Sequence, residues 1–193
     1  MWKKQNIWLL NRNKIKKWIQ SKKVIDVIVF GSLVRGKSKP NDFDICMILK
    51  EEQEKEAIDL VDSLAKSINE NNLKVQVNFL LEGNFVKGNN SLVKNLLVEG
   101  FSVKHNKELA SVYGFRSKAL FFYDIKKFKP SERVRFHYLL RGRYEQKGLL
   151  ANYGAELVKD GLIEVPICCE DMFKEIFGNW KLDFKVKRVL FES

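Results

Sequence analysis

Two short apolar, β-branched runs separated by a polar loop most strongly constrain the fold of this chain. The first run, Val24 to Phe30, ends at Gly31, and the second, Asp42 to Leu49, follows a stretch that contains glycine, proline and asparagine. Apolar runs of this length bounded by such residues are typical of buried strands. The sequence therefore predicts a strand, a loop with room for one helical turn after Ser32, and a second strand.

Further periodic segments predict the rest of a first α/β unit. The first is a helix over residues 7–22, with Trp8, Ile15, Trp18 and Ile19 on one face. An amphipathic helix over residues 51–70 and a strand from Lys74 to Leu81 follow. The last two are a helix over residues 90–99 that ends at Gly100 and a short edge strand over residues 101–104. We therefore expect one domain over residues 1–110.

The remaining residues, 111–193, predict a second and smaller α+β module. Pro130 is suited to begin a helix that continues to Arg143. Asp160-Gly161 is a hairpin signal between strands over residues 155–158 and 162–165. A helix over residues 169–180 and a strand over residues 182–191 follow. No linker-like composition separates the two halves, so we expect them to pack together.

The loop after the first strand also fits the phosphate-loop pattern G-x-x-x-x-G-K-[ST], from Gly31 to Ser38. Such a loop binds phosphates at the N-terminus of a helix that begins at its Gly-Lys pair. Here Pro40 and the strand that begins at Asp42 leave little room for that helix. A phosphate-loop nucleoside triphosphatase is therefore the weaker alternative.

Gly31-Ser32 followed by Asp42-Phe43-Asp44 within a strand resembles the signature of the DNA polymerase beta nucleotidyltransferase superfamily. Arg35-Gly36 and the segment VEGFSVK, residues 98–104, extend the resemblance, which covers about residues 20–110. The resemblance implies an α/β (α+β) fold in which helices flank a small mixed sheet. It also implies transfer of a nucleoside monophosphate from a triphosphate to an acceptor hydroxyl, with release of pyrophosphate.

The spacing of the two aspartates suits that chemistry. Side chains two residues apart on a strand share a face, so Asp42 and Asp44 present carboxylates about 7 Å apart. Such oxygen ligands suit Mg²⁺, with Mn²⁺ as an alternative. Gly31 allows the backbone to approach phosphates, and Ser32 can donate hydrogen bonds to them. We expect Asp42 and Asp44 to be the catalytic and metal-binding residues, and these four loop residues to bind the nucleotide: Gly31, Ser32, Arg35 and Lys37.

The third strand departs from the family pattern. Active members usually carry a third carboxylate there, whereas this chain has Gln76 at the expected register and Asn78 two residues later. Amides form hydrogen bonds but do not remove protons, and loss of a general base costs about 10²- to 10⁴-fold in rate. Glu82 follows the strand and is more simply explained as a solvated acid. The alternative function is therefore a weak or inactive member that binds nucleotide or RNA.

Positive charge is concentrated in two segments. The chain holds 35 Lys and Arg against 24 Asp and Glu, a net charge of +11. Residues 1–23 and 111–143 are the most basic, and lysine and arginine clusters bind nucleic acid by displacing counterions from phosphates. A solvated surface is the alternative. These segments favour RNA as a partner, while the family resemblance leaves a protein acceptor open.

The second basic segment interleaves arginine with aromatic residues. Its members are Arg133, Arg135, Arg141 and Arg143, with Phe136, Tyr138 and Tyr144. Such a segment is suited to contact RNA phosphates and to stack on bases. A helix with its aromatic residues in the core and its arginines in water explains the pattern equally well.

Cysteines and apolar runs indicate the compartment. Cys46, Cys168 and Cys169 cannot form a disulfide framework. No apolar run approaches the roughly 20 residues needed to cross a bilayer, and no signal-peptide apolar region follows the N-terminus. His105 and His137 lack companions at zinc-ligand spacing. We therefore expect a cytoplasmic protein without a membrane span or a zinc site.

Overall fold

Two β-sheets with packed helices form the core of the computed structural model, which describes residues 6–50, 54–68, 74–88 and 90–193. A five-stranded sheet uses strands from the first half of the chain, and a four-stranded sheet uses strands from the second half. A small two-stranded hairpin forms the third sheet. The predicted mixture of helices and a small mixed sheet, followed by a further α+β module, is confirmed.

The strand bounds that matter most for function agree with the sequence prediction, since β1, β2 and β3 match it to the residue. The helices are α1 (Asn6–Ile19), α2 (Glu54–Ile68), α3 (Glu82–Lys87), α4 (Ser91–Glu99), α5 (Leu109–Val112), α6 (Pro130–Arg141), α7 (Leu149–Tyr153) and α8 (Glu170–Asn179). The strands are β1 (Val24–Phe30), β2 (Asp42–Leu49), β3 (Lys74–Leu81), β4 (Phe101–Ser102), β5 (Lys107–Glu108), β6 (Phe115–Asp124), β7 (Gly142–Arg143), β8 (Gln146–Lys147), β9 (Glu156–Lys159), β10 (Leu162–Pro166) and β11 (Asp183–Glu192). A 3-10 turn, Ile167–Cys169, precedes α8.

The first sheet is mixed and has the strand order β3-β2-β1-β4-β5. β1 runs antiparallel to β2 and β4, whereas β2 runs parallel to β3. This register pairs Asp44 with Phe30 on one side and with Gln76 on the other. The strand predicted over residues 101–104 is present as β4, which covers only Phe101–Ser102. Its predicted place at the edge of the sheet is wrong, because β5 pairs with β4 and occupies the edge.

Helices cover both faces of the first sheet. On one face alternate residues of β2, beginning with Phe43, pack against α1 and α2. On the other face Cys46 and Ile48 pack against α4 and α5. Because side chains two apart on a strand share a face, Asp42 and Asp44 lie on the same face of β2 as Cys46 and Ile48. The two half-buried carboxylates therefore lie at the end of this face of β2, next to the apolar residues that the helices cover.

The second sheet has the order β11-β6-β10-β9 and packs against aromatic residues of α6 and α8. The ring of Phe121 on β6 lies 6.0 Å from that of Phe173 and 5.4 Å from that of Phe177, both on α8. Phe136 of α6 contacts Phe177 edge-to-face at 5.7 Å. This aromatic core fixes the position of α8 against the sheet.

The sequence prediction for the second half is mostly correct at the level of elements. The strands β9, β10 and β11 and the helix α8 begin and end within one residue of the predicted bounds. The helix predicted to reach Arg143 ends instead at Arg141, because Gly142 has a φ of 93° and begins the β7–β8 hairpin. The long strand β6 was not predicted.

Several expectations extend beyond the described residues. Residues 1–5 of the basic segment 1–23, the side chain of Trp8, and residues 51–53, 69 and 70 of the predicted second helix lie outside them. The domain division between residues 110 and 111 stays a prediction. Among the described helices, none combines the length and the apolar character that crossing a membrane requires.

Candidate active site

Asp42 and Asp44 lie at the start of β2, directly beside the end of β1. Asp44 pairs with Phe30, so Gly31, the next residue, is in contact with it. A Cβ atom on Gly31 would stand 2.1 Å from Oδ2 of Asp44, and Gly31 has a φ of 79°. Both the close approach and the left-handed backbone require glycine. The structure therefore brings Gly31 together with the two carboxylates.

The loop after Gly31 forms a helical turn, as the sequence predicts. The backbone N–H groups of Val34 and Arg35 each donate to the carbonyl of Gly31 at 3.1 Å. The side chains of Leu33 and Val34 are buried in the core beneath the loop. Two apolar anchors and local hydrogen bonds thus hold the turn against the sheet.

The phosphate-loop alternative is wrong for this chain. The backbone N–H of Lys37 donates to the carbonyl of Ser32 at 3.0 Å, and the chain then continues through bends to β2. Residues 31–41 are all described, and no helix begins at Gly36-Lys37. A phosphate loop needs that helix, because the N–H groups and dipole of its first turn bind the phosphates.

Ser32 has a buried hydroxyl group without a hydrogen-bond partner among the described residues. Leaving such a group unsatisfied costs about 1–3 kcal/mol, so native structures normally supply a partner. An oxygen atom of a ligand bound at the loop would satisfy it. This feature is consistent with the predicted contact between Ser32 and a triphosphate.

The carboxylates carry an electrostatic cost. Burial raises the pKa of Asp44 to about 6, and the neighbouring carboxylate of Asp42 adds to the increase. The charge of Arg35 opposes this increase, and that of Glu99 adds to it. Two carboxylates that are partly withdrawn from water and repel each other favour a bound divalent cation, because the cation removes the repulsion.

The donor set at this position fits a magnesium ion. Mg²⁺ is usually held by one or two protein carboxylates together with water and substrate phosphates. Asp42 and Asp44 supply two carboxylates beside a loop with an unsatisfied hydroxyl. Among the described residues, no three His, Cys, Asp or Glu side chains cluster as metal ligands, so the phosphates would have to complete the coordination.

Arg35 lies in the loop and pairs with two acids. Its Nη1 lies 2.8 Å from Oε2 of Glu99, and its Nε lies 2.9 Å from Oδ2 of Asp171. Both acids are buried. The contact connects the candidate site with α8. The predicted binding of phosphate by Arg35, and by the half-buried Lys37, stays a prediction.

Arg35 belongs to a charge-balanced network between the two halves of the chain. Oε2 of Glu99 also lies 2.9 Å from Nη1 of Arg188 on β11. Arg188 donates to both carboxylate oxygens of Glu170, at 2.7 and 3.0 Å. The network contains three cations and three acids, which are Arg35, Lys174, Arg188, Glu99, Glu170 and Asp171.

The backbone of the loop also docks on the start of α8. The N–H of Asp171 donates to the carbonyl of Arg35 at 2.9 Å. A Cβ atom on Gly36 would stand 2.3 Å from the carbonyl oxygen of Cys168, so the two segments touch directly. Sequence reasoning missed Glu99, Cys168 and Asp171, because local patterns carry no signal for partners that distant along the chain.

The third-strand position follows the predicted register, with an amide where an acid was expected. Gln76 pairs with Asp44, and Asn78 pairs with Cys46. Both amides are exposed. Glu82 begins α3, six residues or about 20 Å along the strand direction from Gln76, so it does not reach the carboxylates.

The sequence model of the family described as Polymerase beta, Nucleotidyltransferase matches residues 13–109, which is half of the chain. The matched region contains β1, the loop, both aspartates and β3. The chain belongs to the polymerase beta nucleotidyltransferase family.

Solved structures from toxin–antitoxin systems are similar to part of this chain. One is a structure of the tri-AMPylated Shewanella oneidensis HEPN toxin in complex with MNT antitoxin, with 19% identity, a TM-score of 0.34, and coverage of 49% of this chain and 70% of that chain. Another is a crystal structure of the toxin–antitoxin pair MntA-HepT, with 19% identity, a TM-score of 0.35, and coverage of 54% and 81%. No curated protein shows significant similarity. The family assignment therefore depends on the sequence match.

Proposed function

We propose that this protein transfers a nucleoside monophosphate from a nucleoside triphosphate to an acceptor hydroxyl and releases pyrophosphate. The observation that carries the proposal is the contact between the Asp44 carboxylate and Gly31, at the start of a loop whose Ser32 hydroxyl is buried without a partner among the described residues. The groups that we propose to bind the cation and the phosphates are thus adjacent, as transfer at an α-phosphorus requires. Membership of the family supports the reaction class.

The residues have distinct roles in this proposal. Gly31 and Ser32 hold the triphosphate, with the Ser32 hydroxyl donating to a phosphate oxygen. Asp42 and Asp44 hold Mg²⁺, for which Mn²⁺ can substitute. The bound cation would neutralise the negative charge that develops around the α-phosphorus. Lys37 adds positive charge near the phosphates, whereas Arg35, whose charge is balanced by Glu99 and Asp171, holds the loop in place beside them.

The bond changes follow from this arrangement. The acceptor oxygen forms a bond to the α-phosphorus, while the bond to the oxygen that bridges the α- and β-phosphates breaks, and pyrophosphate leaves. The acceptor proton passes to water, because Gln76 beside Asp44 is an amide and cannot accept it. We therefore expect slow turnover.

A second candidate function is nucleotide or RNA binding without turnover. The observation in its favour is the same pairing of Gln76 with Asp44, which leaves two carboxylates where active members usually have three. In this alternative the loop and carboxylates bind the triphosphate, and pyrophosphate is not released.

The experiment incubates the purified protein with each α-labelled nucleoside triphosphate, Mg²⁺ or Mn²⁺, and total cellular RNA and protein. We expect label to enter either the RNA or the protein fraction, which identifies the acceptor. Asp42→Asn and Asp44→Asn should lower transfer by about 10²-fold or more, because each removes a charge that binds the cation. Asp62→Asn, at an exposed acid on α2, is the matched control.

Gln76→Asp separates the two candidate functions. If the protein is a transferase that lacks a base, restoring the acid should raise the rate, by up to about 10²-fold. If it is a binding module, nucleotide should be retained on a filter, and no label should move in either the unchanged protein or this variant. Transfer that persists in both aspartate variants would contradict the assigned site.

A further inference from the structure

A basic groove lies in the second half of the chain, between the end of α6, the β7–β8 hairpin, α7 and Trp180. Its volume is about 510 Å³. Three cations, Arg135, Arg143 and Lys147, contribute to its lining, and no acidic residue does. The groove shares no lining residue with the candidate active site, and its charge suits an anionic ligand.

The arginines of the groove lie over aromatic rings in and beside it. The guanidinium carbon of Arg143 lies 5.1 Å from the ring centroid of Tyr138 and 4.9 Å from that of Tyr144. The guanidinium carbon of Arg135 lies 5.9 Å from the ring of Trp180. Tyr138 is 44% exposed and Tyr144 is 91% exposed. Flat rings and planar cations are therefore available to a ligand from solvent.

The hairpin holds Tyr144 in an unusual backbone conformation. β7 and β8 pair through Arg143 and Gln146, which places Tyr144 in the two-residue turn between them. Tyr144 has a φ of 54°, a left-handed value that costs a non-glycine residue about 1 kcal/mol or more. Because the Tyr144 ring is exposed to solvent, burial of the ring does not offset this conformational cost.

The neighbouring residues of the same basic segment have structural roles instead. Arg133 donates to the carbonyls of Phe128 and Lys126, and Arg141 lies 3.7 Å from Asp160. Phe136 is fully buried. By contrast, Arg135, Arg143 and Lys147 form no ion pair with an acid among the described residues. The interpretation as an ordinary amphipathic helix therefore explains only part of the segment.

We propose that this groove binds a single-stranded oligonucleotide. Bases stack on Tyr144 and Tyr138, and phosphates contact Arg135, Arg143 and Lys147. A single strand is required because only unpaired bases can reach exposed rings. RNA and DNA share these bases and phosphates. The site uses neither Asp42 nor Asp44, so it is independent of nucleotide transfer.

The experiment measures fluorescence anisotropy of labelled twelve-nucleotide RNA and DNA single strands, and of a duplex of the same length, with the full chain and without nucleoside triphosphate or Mg²⁺. Tyr144→Leu should weaken binding about 5- to 100-fold, because it removes a stacking surface, whereas Tyr144→Phe should retain it. Arg135→Gln with Arg143→Gln should lower the slope of log affinity against log salt by about 1.4. Lys185→Gln with Lys187→Gln, an equal loss of charge on exposed positions of β11, should leave that slope nearly unchanged.

The outcomes separate this proposal from nucleotide transfer. Asp42→Asn and Asp44→Asn should bind the strands as the unchanged protein does, even if both abolish transfer. Tighter binding of RNA would identify RNA as the ligand, and equal binding would identify single strands of either sugar. Absence of binding below about 100 µM, equal binding of a duplex, or equal effects of the two double charge variants would overturn the proposal.

Discussion

Asp44 illustrates how a single residue links the candidate activity to stability. Burial and the charge of Asp42 raise its pKa from the ordinary value of 3.8 to about 6. Between these two values the folded chain retains a proton that the unfolded chain has lost. The free energy of unfolding contributed by Asp44 therefore falls as pH rises from about 4 to about 6, and the full penalty applies above pH 6.

Asp44→Asn should therefore stabilise the protein at pH 8 in buffer that contains EDTA, and should have little effect at pH 4. A two-unit shift corresponds to about 3 kcal/mol, and screening of this half-exposed group lowers our expectation to about 1 kcal/mol. Urea unfolding at the two pH values measures the difference, with Asp62→Asn as the control for loss of one charge. A gain of equal size at both pH values would show that ionisation of Asp44 is not its cause.

The residues of the candidate site were predictable to the extent that they lie on neighbouring strands. The D-x-D spacing and the glycine after β1 predict the contact among Gly31, Asp42 and Asp44, since strand periodicity and register determine it. The pairing of Gln76 with Asp44 follows in the same way. Glu99 and Asp171 were not predictable, because they reach Arg35 through folding of the whole chain.

At the scale of elements, the start of α8 and the loop after β1 behave as one structural unit. The helix supplies a backbone donor and a carboxylate to Arg35, and the preceding 3-10 turn contacts Gly36. The acids of its first turn also interact favourably with the helix dipole. The loop proposed to hold the triphosphate is therefore positioned by an element of the second half.

Asp171→Ala tests this coupling between elements. It should lower the free energy of unfolding by about 2–3 kcal/mol, because the partly buried guanidinium of Arg35 then has one carboxylate partner instead of two. Ser38→Ala is the matched control in the same interface, since its contact with Glu175 at 3.2 Å is exposed and should contribute less than about 0.5 kcal/mol. Urea unfolding compares the two, and equal losses would contradict a special role for Asp171.

β6 shows why some elements were not predictable from the sequence. Its buried residues alternate along the strand, but Ser117 and Ala119 are small, and the apolar Phe122 is 37% exposed between the buried Phe121 and Tyr123. Along β6 the apolar residues are therefore not always the buried ones. The sequence lacks the alternation of apolar and polar residues that predicts a strand. β1, β2 and β3 were predictable because their apolar runs end at turn residues.

At the scale of the whole molecule, contacts of two kinds join the two sheets. Val98 of α4 packs against the aromatic core of the second half, and Cys168 packs against the cores of both halves. The ion-pair network is the second kind of contact, in which Arg188 pairs with one buried acid from each half, Glu99 and Glu170. Because these charges are satisfied only when the halves meet, separation would expose or unpair them.

The two halves should consequently unfold as one cooperative unit. Three tryptophans, Trp2, Trp8 and Trp18, lie before residue 110, and Trp180 is the only one after it. In Trp180→Phe, tryptophan fluorescence reports on the first half alone, and in a variant with the other three replaced by phenylalanine it reports on Trp180. We expect each variant's urea midpoint by fluorescence to coincide with its own midpoint by far-ultraviolet circular dichroism, as a two-state transition requires. Arg188→Ala should lower the fluorescence midpoint and the circular-dichroism midpoint together. If the two midpoints differ in a chain that retains Arg188, the two halves are instead independent domains.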